Sequence, residues 1–281
     1  MATPNFEAGT GDHRLVGWRA GSGPVVVVLH GGPGLTDYTE SLLPELTDHY
    51  TVVRYQQRGL DPSTTAGPFD VETQVADVVS VLDELGQDRA VIIGHSWGGH
   101  LLMHLMAKHP DRVAAALVID PLGAVGDGGE ADMARILGER ITPEAAARSA
   151  ELDEKALRGE GTPADAIEGL ALVWPAYFPD PPSAPPMPPI EISLAAYGET
   201  FGSIRENFER QTLVSLLPKT HVPTLFLLGE LSPIPPAHGV ASAALMPNAE
   251  VKVLPQSGHF VWLDQPGSVR AGLDSLNARI S

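Results

Sequence analysis

The chain has no cysteine, which excludes disulfide bonds, thiolate catalysis and cysteine-held zinc or iron–sulfur centres. Basic residues are scarce: 18 Lys and Arg stand against 35 Asp and Glu, a formal charge of −17. A surface of that sign repels nucleic acid and anionic membranes, so neither is an expected partner. Long apolar runs are missing too. Val25-Val26-Val27-Val28-Leu29, among the longest clean ones, is sized for a strand and not for a bilayer. The N-terminal stretch from Met1 to Arg14 lacks the basic and apolar segments of a secretory signal, so a cytoplasmic location is the expectation. Aromatic residues contribute only 6%, but hydrophobic residues reach 43% of 281. That is ample for one large α/β domain, or for a core domain carrying an insertion.

What is present is a regular alternation. Val25–Leu29, Thr51–Tyr55, Ala90–Ile93 and Ala114–Ile119 read as buried strands. Between them, Val71, Val75, Val78, Val79, Leu82 and Leu85 recur at helical spacing, and a second helix runs from Ser96 to His109 before Pro110 stops it. Buried strands alternating with helices imply a mostly parallel sheet covered on both faces. From 122 to 217 the character changes to Ala-, Glu- and Arg-rich helical sequence, interrupted by seven prolines among the eleven residues from Pro179 to Pro189. That block suits a stiff extended connector and no helix interior. Strand patterns resume at Thr224–Leu228 and Glu250–Leu254, and a last helix is expected from Pro266 onward. The expected organisation is a core of 1–121 and 218–281 with a helical lid, 122–217, inserted between.

Chemistry is signalled most strongly by Gly94-His95-Ser96-Trp97-Gly98, a G-x-S-x-G pentapeptide between a strand and a helix. In that setting small neighbours tolerate a sharp turn, the serine hydroxyl is lifted clear, and the helix N-terminus aims amide donors at developing negative charge. Ser96 is the candidate nucleophile; its position would also suit a plain N-cap serine. His30-Gly31-Gly32-Pro33-Gly34 follows the first buried strand, where glycines allow close approach of the backbone to a substrate. His100 and His104 are four apart on the nucleophile helix, a spacing able to chelate zinc. No acidic partner accompanies them, so packing is the expected role and no metal is expected.

Together with Tyr55-Gln56-Gln57-Arg58-Gly59 and Ser257-Gly258-His259-Phe260, these motifs make the chain resemble the α/β-hydrolase superfamily over nearly its full length, in particular the proline iminopeptidase-like group. The resemblance implies an α/β-hydrolase fold, no cofactor and a small-molecule substrate. It implies His259 as general base, after the last strand, and the N–H groups of Gly32 and Trp97 as oxyanion hole. Arg58 is expected to brace the loops beneath the site.

The acid departs from the pattern. The family's usual late Gly-x-x-Asp reads Gly229-Glu230-Leu231-Ser232 here. Three readings are open: Asp120 at the end of Ala114–Ile119, which is favoured; Glu230; or a dyad with Ser232 as neutral orienter of the imidazole. In the lid, Trp174, Tyr177 and Phe178 are candidates for an apolar substrate pocket, with the lid's own packing as the competing role. The expected activity is cleavage of a small or medium ester, lactone or amide through an acyl-enzyme. The alternatives are an aminopeptidase removing N-terminal proline, its ammonium held by Glu168, Asp180, Glu191 or Glu199, and a non-catalytic ligand-binding protein. His95 in place of glycine before Ser96, and Pro175 after Trp174, weaken the aminopeptidase reading.

Overall fold

The computed structural model describes residues 3–10 and 13–280. Eight strands form one sheet: β1 (Phe6–Thr10), β2 (His13–Gly21), β3 (Val25–Leu29), β4 (Thr51–Tyr55), β5 (Ala90–His95), β6 (Val113–Ile119), β7 (Thr224–Gly229) and β8 (Ala249–Leu254). Their order is β1-β2-β4-β3-β5-β6-β7-β8. β1, β2 and β4 pair antiparallel, and every pairing from β4 through β3 to β8 is parallel. The helices are α1 (Leu43–Leu46), α2 (Val71–Glu84), α3 (Trp97–Lys108), α4 (Glu130–Arg140), α5 (Pro143–Leu157), α6 (Pro163–Val173), α7 (Leu194–Glu209), α8 (Thr212–Leu216), α9 (Pro236–Ala243), α10 (Val261–Asp264) and α11 (Ser268–Ile280). Among the described residues no helix is long and apolar enough to cross a membrane.

The inner parallel strands β3, β5, β6 and β7 are apolar on both faces because helices cover both faces, whereas β8 at the sheet edge is largely exposed. Val27, Leu29, Ile92 and Val118 pack toward α2 and α3 in one core cluster, while Val26, Val28, Ile93 and Ile119 pack toward α10 and α11 in the other. Asp70 starts α2 by accepting the Thr73 N–H, and Thr162 with Asp165 forms a capping box on α6. The six strands and three helices expected outside the insertion are present within a few residues of their expected limits. The β1–β2 hairpin is an addition. β2 buries Leu15, Val16, Gly17 and Trp18 in succession, so it lacks the alternation that marks a half-buried strand.

Between β6 and β7 the chain carries α4–α8. Its return path is stitched to the loop after β3: Thr36 N–H donates to Glu191 O (3.1 Å) and Ser193 N–H to Gly34 O (2.8 Å). α7 is then fastened to the start of α2, with Glu199 accepting the Phe69 N–H at 2.8 Å and the Thr200 hydroxyl donating to Phe69 O at 2.7 Å. Arg58 forks onto Asp77 of α2 with two 2.5 Å bonds and donates to Pro68 O. It therefore braces α2 and the segment ahead of it.

Candidate active site

In a parallel sheet the loops after successive strands converge at the carboxyl edge. That edge gathers His30–Gly34 after β3, Ser96 after β5, Asp120 after β6, Gly229–Ser232 after β7 and His259 after β8. Ser96 adopts φ 56°, ψ −121°, and Ser96 N–H donates to Ile119 O at 3.0 Å. A non-glycine residue holding such a backbone conformation is uncommon and persists only where the surrounding structure fixes it. Although Ser96 occupies the N-cap position of α3, its hydroxyl makes no capping bond.

The turn is possible only because its neighbours are small. A Cβ on Gly98 would lie 2.1 Å from Leu29 O, and one on Gly31 would lie 2.7 Å from the Ser96 Cβ. Gly98→Ala is accordingly expected to cost about 3 kcal/mol or more, visible as a fall in Tm of the order of 6–10 °C. An unchanged melting curve would contradict this packing.

Asp120 is 1% exposed and also sits at positive φ, 41°. Its carboxylate accepts three hydrogen bonds: from Gly229 N–H (3.1 Å), from the Ser232 hydroxyl (2.5 Å) and from His259 Nδ1–H (2.5 Å). Burial pushes the Asp120 carboxyl up, and the Ser232 and Gly229 donors pull it back. Burial likewise holds the His259 imidazole down, to about 3. The result is a neutral imidazole whose Nδ1–H is engaged and whose Nε2 carries the free lone pair. His259 N–H donates to Tyr177 O at 2.9 Å, and Asp264 accepts the Gly258 N–H at 2.7 Å, so the loop carrying the imidazole is anchored on both sides.

The other two acid candidates do not meet the imidazole. Glu230 is exposed and accepts the Gln256 N–H at 3.1 Å; it points along the surface because β7 has already ended at Gly229. Ser232 is buried beside the pair, but it donates to Asp120 and accepts the Ile234 N–H. It supports the carboxylate and does not orient the imidazole itself.

The lid aromatics divide as well. Trp174 and Phe178 are buried, 4.9 and 5.5 Å from the Phe260 ring, and belong to the core cluster on the α10–α11 face of the sheet. Packing against Phe260 occupies their faces, which matches the competing packing role for these two. Trp174 borders a separate cleft of about 480 Å³ whose lining includes neither Ser96 nor His259. Tyr177 alone of the three lies over His259, ring centroids 5.2 Å apart.

At the oxyanion side, Trp97 is the first residue of α3, so its N–H is one of the amides without an intrahelical acceptor. Its indole N–H donates to Gln57 Oε1 at 2.9 Å, and the Gln57 amide donates to His30 O at 2.9 Å. Gln57 thus ties the elbow to the glycine loop. It was visible in the sequence only as part of a motif, since its partners lie 40 and 27 residues away. His100 and His104 are both buried with rings 5.0 Å apart, and His100 Nδ1–H donates to Leu122 O.

A family model described as the alpha/beta hydrolase fold matches residues 24–266. The chain is 28% identical over 287 aligned positions to epoxide hydrolase A of Mycobacterium tuberculosis, covering 89% of each protein. It is also 28% identical to 2-(acetamidomethylene)succinate hydrolase of Mesorhizobium japonicum, covering 86% of this chain and 83% of that one. Other curated relatives are matched over only 42% and 39% of their own length. Among solved structures, a proline iminopeptidase from Mycobacterium smegmatis superposes with a TM-score of 0.70 at 20% identity, covering 99% of both chains. At that identity the likeness is one of fold.

Proposed function

This chain is an alpha/beta hydrolase, a member of the family whose model it matches, and from that premise we propose a serine mechanism: cleavage of a small or medium ester, lactone or amide through an acyl-enzyme. The observation that carries this reading is the uncapped Ser96 hydroxyl on a strained turn, at the same sheet edge as the buried His259–Asp120 pair. His259 Nε2 takes the Ser96 proton as Oγ attacks the acyl carbon, and Gly32 and Trp97 N–H groups receive the oxyanion. The imidazolium, held by Asp120, returns its proton to the leaving oxygen or nitrogen. Water, deprotonated by the same imidazole, then releases the acid and restores Ser96.

The nucleophile separates this chemistry from that in the name of the epoxide hydrolase relative. A serine alkoxide opening an epoxide forms an alkyl ether, which has no carbonyl for water to attack, so a route through Ser96 would stall after one event. For the aminopeptidase reading, three of the four carboxylates considered are occupied. Glu168 is forked by Arg148, Asp180 accepts the Ser183 hydroxyl, and Glu199 accepts the Phe69 N–H. Only Glu168 already holds a cation, so the preference for ester, lactone or amide substrates rests on His95 before Ser96 and Pro175 after Trp174.

Stoichiometric labelling of the purified protein by a fluorophosphonate, absent in Ser96→Ala, is the expected result. A parent protein that stays unlabelled would favour the ligand-binding alternative. Turnover of p-nitrophenyl acetate in preference to a prolyl anilide separates esterase from aminopeptidase, and the reverse preference would overturn the substrate class.

A further inference from the structure

The sequence places His95 inside the elbow pentapeptide and Tyr38 eight residues beyond His30, with no pattern linking them. In the fold they meet. Gly31 N–H donates to Tyr38 Oη at 2.9 Å, Tyr38 Oη lies 2.7 Å from His95 Nδ1, and His95 Nε2 lies 2.9 Å from the main-chain oxygen of His259. We propose that Tyr38 and His95 are positioning residues that join the oxyanion loop to the loop of the general base by a hydrogen-bonded chain of one fixed direction. The proposal rests on the serine-hydrolase reading above and assigns residues to the same site.

The direction follows from the two ends. An amide N–H can only donate and a carbonyl oxygen can only accept. His95 Nε2 must therefore carry the hydrogen that reaches His259 O. Burial keeps the His95 ring neutral, with the adjacent His259 acting in the same sense, so Nδ1 is bare and accepts the Tyr38 O–H. The Tyr38 oxygen, having donated, accepts from Gly31. Each polar atom along the path has a partner, and no member can reverse without leaving a buried group unpaired.

The chain touches both halves of the proposed chemistry. Gly31 precedes Gly32, whose N–H is the oxyanion donor, so the Tyr38 bond sets the tilt of that loop. The His95 bond holds the backbone from which the catalytic imidazole hangs, with the two imidazole centroids 4.5 Å apart. Neither residue touches the reacting atoms. Their contribution is to hold donor and base in register, where a displacement of about 1 Å costs on the order of 100-fold.

The test uses Tyr38→Phe, which keeps the ring against Phe260 (5.7 Å) and removes only the hydroxyl. With p-nitrophenyl acetate, kcat is expected to fall roughly 10- to 100-fold with KM within about twofold, and fluorophosphonate labelling to slow by the same factor. His95→Gln retains an N–H for the His259 carbonyl and His95→Leu does not. The glutamine variant is expected to keep about tenfold more kcat than the leucine variant. A Tyr38→Phe kcat within about threefold of the parent, or a loss carried by KM, overturns the proposal while leaving the serine mechanism standing. Equal kcat in the two His95 variants also overturns it. A parent that takes no label removes both readings together.

Discussion

Asp120→Asn is expected to lower kcat for p-nitrophenyl acetate about 10⁴-fold, the scale reached when a triad acid is replaced by its amide. The cause is the tautomer as well as the charge. Asp120 accepts from His259 Nδ1–H, which in the proposed mechanism keeps Nε2 free for the serine proton. An asparagine presenting its NH2 to Nδ1 would move the ring hydrogen to Nε2, and the base would then face Ser96 as a donor. Gly229 N–H and the Ser232 hydroxyl hold the carboxylate from the other side, so Ser232→Ala is expected to lose about tenfold, a hydrogen bond to a charged group being worth about 1.5–3 kcal/mol. Glu230→Gln, altering an exposed side chain bonded to Gln256, is expected to change kcat less than about twofold. Near-parental turnover in Asp120→Asn would end the assignment of the acid.

Mild acid is expected to destabilise the protein well before ordinary carboxylates titrate. His30, His95, His100 and His104 are each at most 1% exposed, and burial holds all four below the usual imidazole value, His100 at about 4. Among the described residues, neither ring nitrogen of His104 has a hydrogen-bond partner. The unfolded chain takes up these protons near pH 6.5 and the folded chain resists them. Stability is therefore complete above about pH 6.5 and falls as the pH drops toward the folded values. A histidine kept neutral at pH 5 costs about 2 kcal/mol relative to pH 7. His95, His100 and His104 together approach 6 kcal/mol on that scale, with His30 and His259 acting in the same direction.

Asp77, Asp120 and Asp264 oppose this, because burial raises their carboxyls and the folded state takes up protons there. A net loss of several kcal/mol between pH 7 and 5 remains expected, a large part of the stability of an ordinary domain. Denaturant midpoints at the two pH values measure it. His104→Leu should flatten the dependence by about one proton and recover about 2 kcal/mol at pH 5. Equal midpoints for the parent protein at pH 7 and 5 would refute the account.

Strands β3, β5, β6 and β7 were legible because parallel strands buried on both faces must be continuously apolar, as Val25–Leu29 and Leu225–Leu228 are. α2 and α3 were legible from their period and from Pro110. The N-terminal hairpin was not, since β1 and β2 pair at an antiparallel edge where burial depends on what the neighbouring chain covers. The lid aromatics were ambiguous for a related reason. Composition does not say whether Phe178 faces a substrate or Phe260, and the docking of Tyr177 O on His259 N–H decides it.

The sequence by itself determined the alternation of buried strands and helices, the elbow that raises Ser96 and the glycines that let it turn, because each depends on residues within a few positions of one another. The tertiary structure alone decided which carboxylate meets His259. Asp120 stands 139 residues from it, and Ser232, in the place where an aspartate is usual, donates to that same carboxylate. A hydrogen bond needs only that two atoms approach within about 3 Å, and such proximity is set by how strands are ordered across a sheet. Spacing along the chain carries no record of it.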